Sequence, residues 1–291
     1  MKIAVYILLA VLLAGFLAAL RLAAQSFWGE RDDYVRHRSA LSSHPEKTGI
    51  DGLAEVSFRD RDGVKIAGWY APSKNRGAVV LVHGTGSDRS AVLFETAALA
   101  KAGFGVLAID APGQGGSEGR TRWGVPERAA ILGAVDWLSA RADVDPRRIG
   151  GLGVSYGAYV MTQAAAMDPR IRSVVLVAPP TDIVRQNWLS TAQWGLLTQL
   201  PCYLALRLYG QSLDMMPKDV IASIAPRPVF LLGGELDDAV PPAMVRELFD
   251  DAREPKQLWM VAGGHHADFA RTAGVEYRDQ IGRFLERTLL D

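Results

Sequence analysis

The sequence predicts an α/β protein: a mostly parallel sheet with helices on both faces and an antiparallel hairpin at one edge. Three observations predict it. Uninterrupted apolar runs of strand length alternate with segments of helical pattern, as a sheet buried on both faces requires. Two shorter alternating runs, joined by "DRDG", precede them and read as a hairpin. The pentapeptide Gly153-Val154-Ser155-Tyr156-Gly157 lies where an apolar run meets an alanine-rich helix.

Taken in order, "EVSFR" and "VKIAGWY" form the hairpin, and "GAVVLVHG" is the first fully buried strand. Residues 91–102 are helical in pattern, with Gly103 as the stop. "GVLAID" is the next strand, and residues 126–141 form a helix with Pro126 in its first turn. "RIGGLGVS" is a strand, residues 156–167 a helix, and "IRSVVLVAP" a strand. "RPVFLLGG" is followed by a helix over 242–252, "KQLWMVAG" is the last strand, and residues 268–290 form one closing helix. The stretch of about 45 residues between "VVLVAP" and "PVFLLGG" is longer than a connection needs. It predicts a two-helix lid, inserted over about 181–225, whose Trp188 and Trp194 line an apolar pocket.

The N-terminus differs in kind. Residues 3–20 carry no charge and, as a helix, would rise about 27 Å, close to the hydrocarbon thickness of a bilayer. Residues 1–24 are expected to be a single-pass membrane anchor, followed by a juxtamembrane linker over 25–52 and a catalytic domain over 53–291. A cleaved signal peptide is the alternative, but its core is normally only about 7–15 residues long and Arg21 interrupts the approach to the small residues. The side of the membrane that holds the domain stays open.

The formal net charge is zero, which excludes broad electrostatic capture of nucleic acid. The single cysteine, Cys202, excludes an intrachain disulfide. No metal or other cofactor is expected, because Cys-x-x-Cys and His-x-x-x-His spacings are absent. No protein partner can be inferred.

In open α/β sheets the chemistry gathers beyond the carboxyl ends of the strands. Ser155, His83, Gly84, Asp110, Asp237 and the pair His265-His266 all fall there. A serine hydroxyl needs a base, and the base needs a carboxylate to fix its tautomer. His37 and His44 precede the sheet, and His83 adjoins the turn that would bind an oxyanion, so its side chain is expected to be structural. The base is therefore His266, with His265 as the alternative. Asp237 is the expected acid; Asp182 is a second candidate, and Asp238 could instead cap the helix that follows. Asp110 is expected to shape the Gly-rich loop "DAPGQGGSEG". The backbone N–H groups of Tyr156 and Thr85 are the expected oxyanion donors, and His83 and Gly84 are placed with Trp188 and Trp194 around the pocket.

With these residues in place, the chain from Leu53 onward resembles the α/β-hydrolase superfamily, through "GVKIAGWYAP", "VVLVHGTGSDRS", "GVSYGA", "PRPVFLLGGELDDAVP" and "VAGGHHADF". It looks most like bacterial serine hydrolases and peptidase-like members. The resemblance implies an eight-stranded sheet, a nucleophile elbow and a triad of Ser155, Asp237 and His266. The expected activity is cleavage of a carboxylic ester or related bond in a lipophilic, small-molecule acyl substrate. A serine peptidase or amidase of the same fold is one alternative. A non-catalytic binding protein is the other.

Overall fold

The structure is a computed structural model that describes residues 44–191, 196–208 and 210–291, together with 6, 13–17 and 20. The expected anchor over 1–24 and the linker up to residue 43 lie almost wholly outside these residues. Among the described residues no helix is long and apolar enough to cross a membrane.

Eight strands form one sheet: β1 (Ala54–Arg59), β2 (Lys65–Ala71), β3 (Ala78–Val82), β4 (Gly105–Ile109), β5 (Ile149–Val154), β6 (Ile171–Val177), β7 (Val229–Gly234) and β8 (Lys256–Val261). Their spatial order is β1-β2-β4-β3-β5-β6-β7-β8. β1 pairs antiparallel with β2, and β2 antiparallel with β4. Every other pairing is parallel. The hairpin is therefore the antiparallel edge that the sequence predicts.

The helices are α1 (Leu93–Lys101), α2 (Val125–Ser139), α3 (Tyr156–Met167), α4 (Ile183–Thr191), α5 (Leu196–Leu208), α6 (Pro217–Val220), α7 (Pro242–Asp251), α8 (Phe269–Thr272) and α9 (Gly274–Leu289). Alternate residues of one strand feed two cores. Val80 and Val82 of β3 pack with residues of α2, α3 and α7, whereas Val79 and Leu81 pack with α1 and α9. Burying each such side chain contributes roughly 1.5–3 kcal/mol, so both sheet faces are committed and the strands' carboxyl rim is left for loops.

Two expectations are corrected. The single closing helix is two: Gly274, at φ +44°, leaves right-handed helical geometry and breaks the segment into α8 and α9. Asp238 does not cap α7. Pro241 occupies that position, and Asp238 is exposed.

Candidate active site

The elbow is forced by sterics. β5 ends at Val154 and α3 begins at Tyr156, so Ser155 alone makes the turn, at φ 54° and ψ −115°. A non-glycine residue held there stores roughly 1–3 kcal/mol of strain. Two close approaches hold it. A Cβ on Gly153 would lie 2.3 Å from the Gly157 carbonyl oxygen, and one on Gly157 would lie 2.1 Å from the Val82 carbonyl oxygen. Neither obstacle is a side chain that could swing away, so both flanking positions admit only glycine. The Ser155 N–H donates to the Val177 carbonyl at 2.7 Å, which ties the turn to the end of β6.

Two further turns converge on this hydroxyl. After β7, the Asp237 side chain is buried; its Oδ1 accepts from the N–H groups of Ala239 (2.9 Å) and Val240 (2.7 Å). Its Oδ2 lies 2.8 Å from His266 Nδ1. His266 Nε2 in turn lies 2.9 Å from Ser155 Oγ. The turns that carry the acid and the imidazole are zipped together: the N–H groups of Glu235 and Leu236 donate to the carbonyls of Val261 (3.1 Å) and Gly264 (2.9 Å). Gly234 permits this approach, since a Cβ there would meet the Gly264 oxygen at 2.4 Å. His266 reaches both partners, whereas His265 is exposed and its N–H donates to Asp268 Oδ1 at 2.9 Å.

The fold agrees with that of solved relatives. The profile described as X-Pro dipeptidyl-peptidase (S15 family) matches residues 25–211, well over half of the chain. The chain belongs to this family. Its fold and relatives make it an enzyme of the α/β-hydrolase type. The matched segment includes Ser155 but stops short of Asp237 and His266. An uncharacterized protein of Mycobacterium tuberculosis is 34% identical over 266 residues, covering 90% of this chain and 89% of its own length. Polyketide transferase ATR5 of Stachybotrys chlorohalonatus is 27% identical, covering 81% of this chain and 97% of its own. A Pyrococcus furiosus esterase shares the fold at a TM-score of 0.72 and 24% identity, over 84% of this chain and 94% of its own.

The remaining predicted residues divide. Tyr156 is the first residue of α3, at the positive end of the helix dipole. Thr85 lies in the exposed turn after β3, and that turn is anchored by the Gly86 N–H donating to Gln114 Oε1 at 3.1 Å. Gly84 abuts the nucleophile: a Cβ on it would sit 3.7 Å from Ser155 Cβ. His83 is not a pocket wall. It is fully buried, with Nδ1 donating to the Gly84 carbonyl (2.7 Å) and Nε2 accepting from the Ala111 N–H (3.1 Å). Burial, the largest influence, pushes its pKa below the usual histidine value against the pull of Asp110. It is a neutral clip between the turn after β3 and the loop after β4.

Asp110 shapes that loop, as expected. Its carboxylate accepts from the N–H groups of Arg89 and Gly116 and pairs with the buried Arg89 guanidinium, each at 2.7 Å. Asp182 is not part of the constellation: its Oδ1 accepts from Val184 (2.8 Å) and Arg185 (3.1 Å) at the start of α4, and Oδ2 pairs with Lys218. Trp188 lies on α4 and is exposed, and Trp194 falls outside the described residues.

One contributor escaped the sequence reading. Glu127, buried in the first turn of α2, accepts from Arg122 N, Gly124 N and the Tyr156 hydroxyl, each at 2.7 Å. It latches the loop before α2 to the residue after Ser155. Trp123, at φ 55°, completes the latch by packing edge-on against Tyr156 at 4.9 Å. Among the described residues no cluster of His, Cys, Asp and Glu is arranged to hold a metal ion.

Proposed function

We propose that the protein is a serine hydrolase that cleaves a carboxylic ester or related acyl bond through an acyl-enzyme. The observation that carries this reading is the unbroken chain from Ser155 Oγ through His266 to Asp237, at a strained turn on the strands' carboxyl rim. His266 Nε2 takes the hydroxyl proton as Oγ attacks the carbonyl carbon. Asp237 holds the proton on Nδ1 and stabilises the imidazolium. The tetrahedral oxyanion is met by the backbone N–H groups of Tyr156 and Thr85. His266 then protonates the leaving group, and water repeats the cycle on the acyl-enzyme.

The lipophilic-ester reading rests on the apolar character of the α4–α5 insert, where Trp188, Leu189, Leu200 and Leu208 are exposed. The family favours a second reading, an amidase or peptidase. The uncharged run over 3–20 supports the further proposal that the domain is held at a membrane. The test compares wild type with Ser155→Ala on p-nitrophenyl esters of graded chain length and on Ala-Pro p-nitroanilide. Ester turnover that rises with acyl length and vanishes in Ser155→Ala supports the proposal. Turnover of the anilide alone moves the enzyme to the peptidase reading, and equal rates in both proteins refute both readings.

A further inference from the structure

At the amino ends of the central strands, away from the triad, a cleft of about 480 Å³ opens between the start of β6 and the segment before β7, and Arg172, Arg227, Pro226 and Pro228 line it. Arg227 is half-buried and rigidly held: Nε donates to the Ile224 carbonyl (3.0 Å), and Nη1 to the carbonyls of Asp168 (3.0 Å) and Ile171 (2.9 Å). All three acceptors are neutral, Arg227 forms no ion pair among the described residues, and its Nη2 makes no hydrogen bond there. Arg172 is exposed, and its side chain has neither hydrogen bond nor ion pair among the described residues. The neighbouring carboxylate, Asp168, is already engaged by Arg170 and Arg61. Burial first, and then the charge of Arg172, push the Arg227 pKa below its usual value against the smaller opposing pull of Asp168, so the two cations feel each other.

Two like charges, one of them half-buried and fixed by carbonyls, are unfavourable together without an anion. The hydroxyls of Ser223 and Thr288 also line the cleft, but each donates its proton to a helix carbonyl, of Val220 and Phe284. The donors left for a ligand are the Nη2 group of Arg227 and the guanidinium of Arg172, whose forked N–H groups match paired oxygens. Two guanidiniums without an ion-pair partner match the charge of about −2 on a phosphate or phosphate monoester.

We propose that this cleft is a binding site for a phosphate-type dianion. It lies about 17 Å along β6 from Val177, whose carbonyl holds the Ser155 turn. It is therefore separate from the candidate active site and independent of the reading of that site.

The test is calorimetric titration of the full chain with inorganic phosphate and with phenyl phosphate, at constant ionic strength set by chloride. Saturable binding is expected, weakened about tenfold in Arg172→Ala and further in Arg172→Glu. Arg172 makes no side-chain contact that the fold needs, so both variants should keep the wild-type circular dichroism spectrum. Tighter binding of phenyl phosphate identifies an organic ester as the ligand, and equal or weaker binding identifies the free ion. Ser155→Ala should bind as wild type does, which separates this proposal from the hydrolase reading. No saturable binding at millimolar concentrations, or equal affinity in wild type and Arg172→Glu, overturns it.

Discussion

Asp237→Asn isolates the electrostatic part of the candidate triad from its scaffold. Asp237 uses its two oxygens differently. Oδ1 accepts from Ala239 N and Val240 N and holds the turn, while Oδ2 faces His266 Nδ1. An asparagine can keep its carbonyl oxygen toward the two N–H groups, so the turn survives. Its NH2 group then faces Nδ1, which must accept. The imidazole proton moves to Nε2, and Nε2 can no longer take the proton of Ser155 2.9 Å away. The wrong tautomer costs on the order of 10⁴ in turnover, which is about 5 kcal/mol of transition-state stabilisation. Steady-state ester hydrolysis gives kcat, and urea unfolding gives stability. The expected result is a kcat loss of about four orders of magnitude with stability within about 1–2 kcal/mol of wild type. A variant within tenfold of wild-type turnover would refute the assignment. So would one whose activity loss merely tracked unfolding.

Gly157→Ala pushes a Cβ to 2.1 Å from the Val82 carbonyl oxygen, an obstacle in backbone that no rotamer change relieves; a loss of at least about 2–3 kcal/mol is expected in urea unfolding, and an unchanged midpoint would contradict the steric account. His83 is buried neutral with its pKa depressed, so the unfolded chain binds a proton that the native state refuses. Its contribution is complete above the unfolded value of about 6.5 and is lost as pH falls below it, with a slope of up to about 1.4 kcal/mol per pH unit; denaturant titrations across this range should show the slope, and His83→Gln, which can keep one donor and one acceptor, should remove its share. Glu127→Ala strands three donors and should cost at least about 3 kcal/mol, whereas Tyr156→Phe, which leaves Glu127 both backbone partners, should cost about 1–2. Equal losses in these two variants would show that Glu127 is not the common anchor.

The alternation of strands and helices was legible because each buried strand is an unbroken apolar run and each change of period is marked by glycine or proline. Ser155 was legible for the same reason: the glycines that identify it are the positions where a Cβ would strike backbone at 2.3 and 2.1 Å. The sequence left His265 and His266 both open as the base; in space Ala267 adopts φ 52°, and the His266 imidazole faces Asp237 while His265 is exposed. His83 was expected at the pocket's edge with a structural side chain; its partners, the Gly84 carbonyl and the Ala111 N–H, are backbone groups that no side-chain pattern reveals. Glu127 was missed because its tie to Tyr156 spans 29 residues and two helices. Its capping of Gly124 carried a signal, an acidic residue three positions into a helix, that ordinary helix termini also show.

The most direct measurement is covalent labelling of the full chain with a fluorophosphonate, followed by peptide mass spectrometry. A phosphonyl adduct on Ser155 is expected, formed at a wild-type rate in His265→Ala, abolished in Ser155→Ala and slowed by several orders of magnitude in His266→Ala. An adduct on another residue, or labelling of Ser155 that is indifferent to loss of His266, would contradict the account.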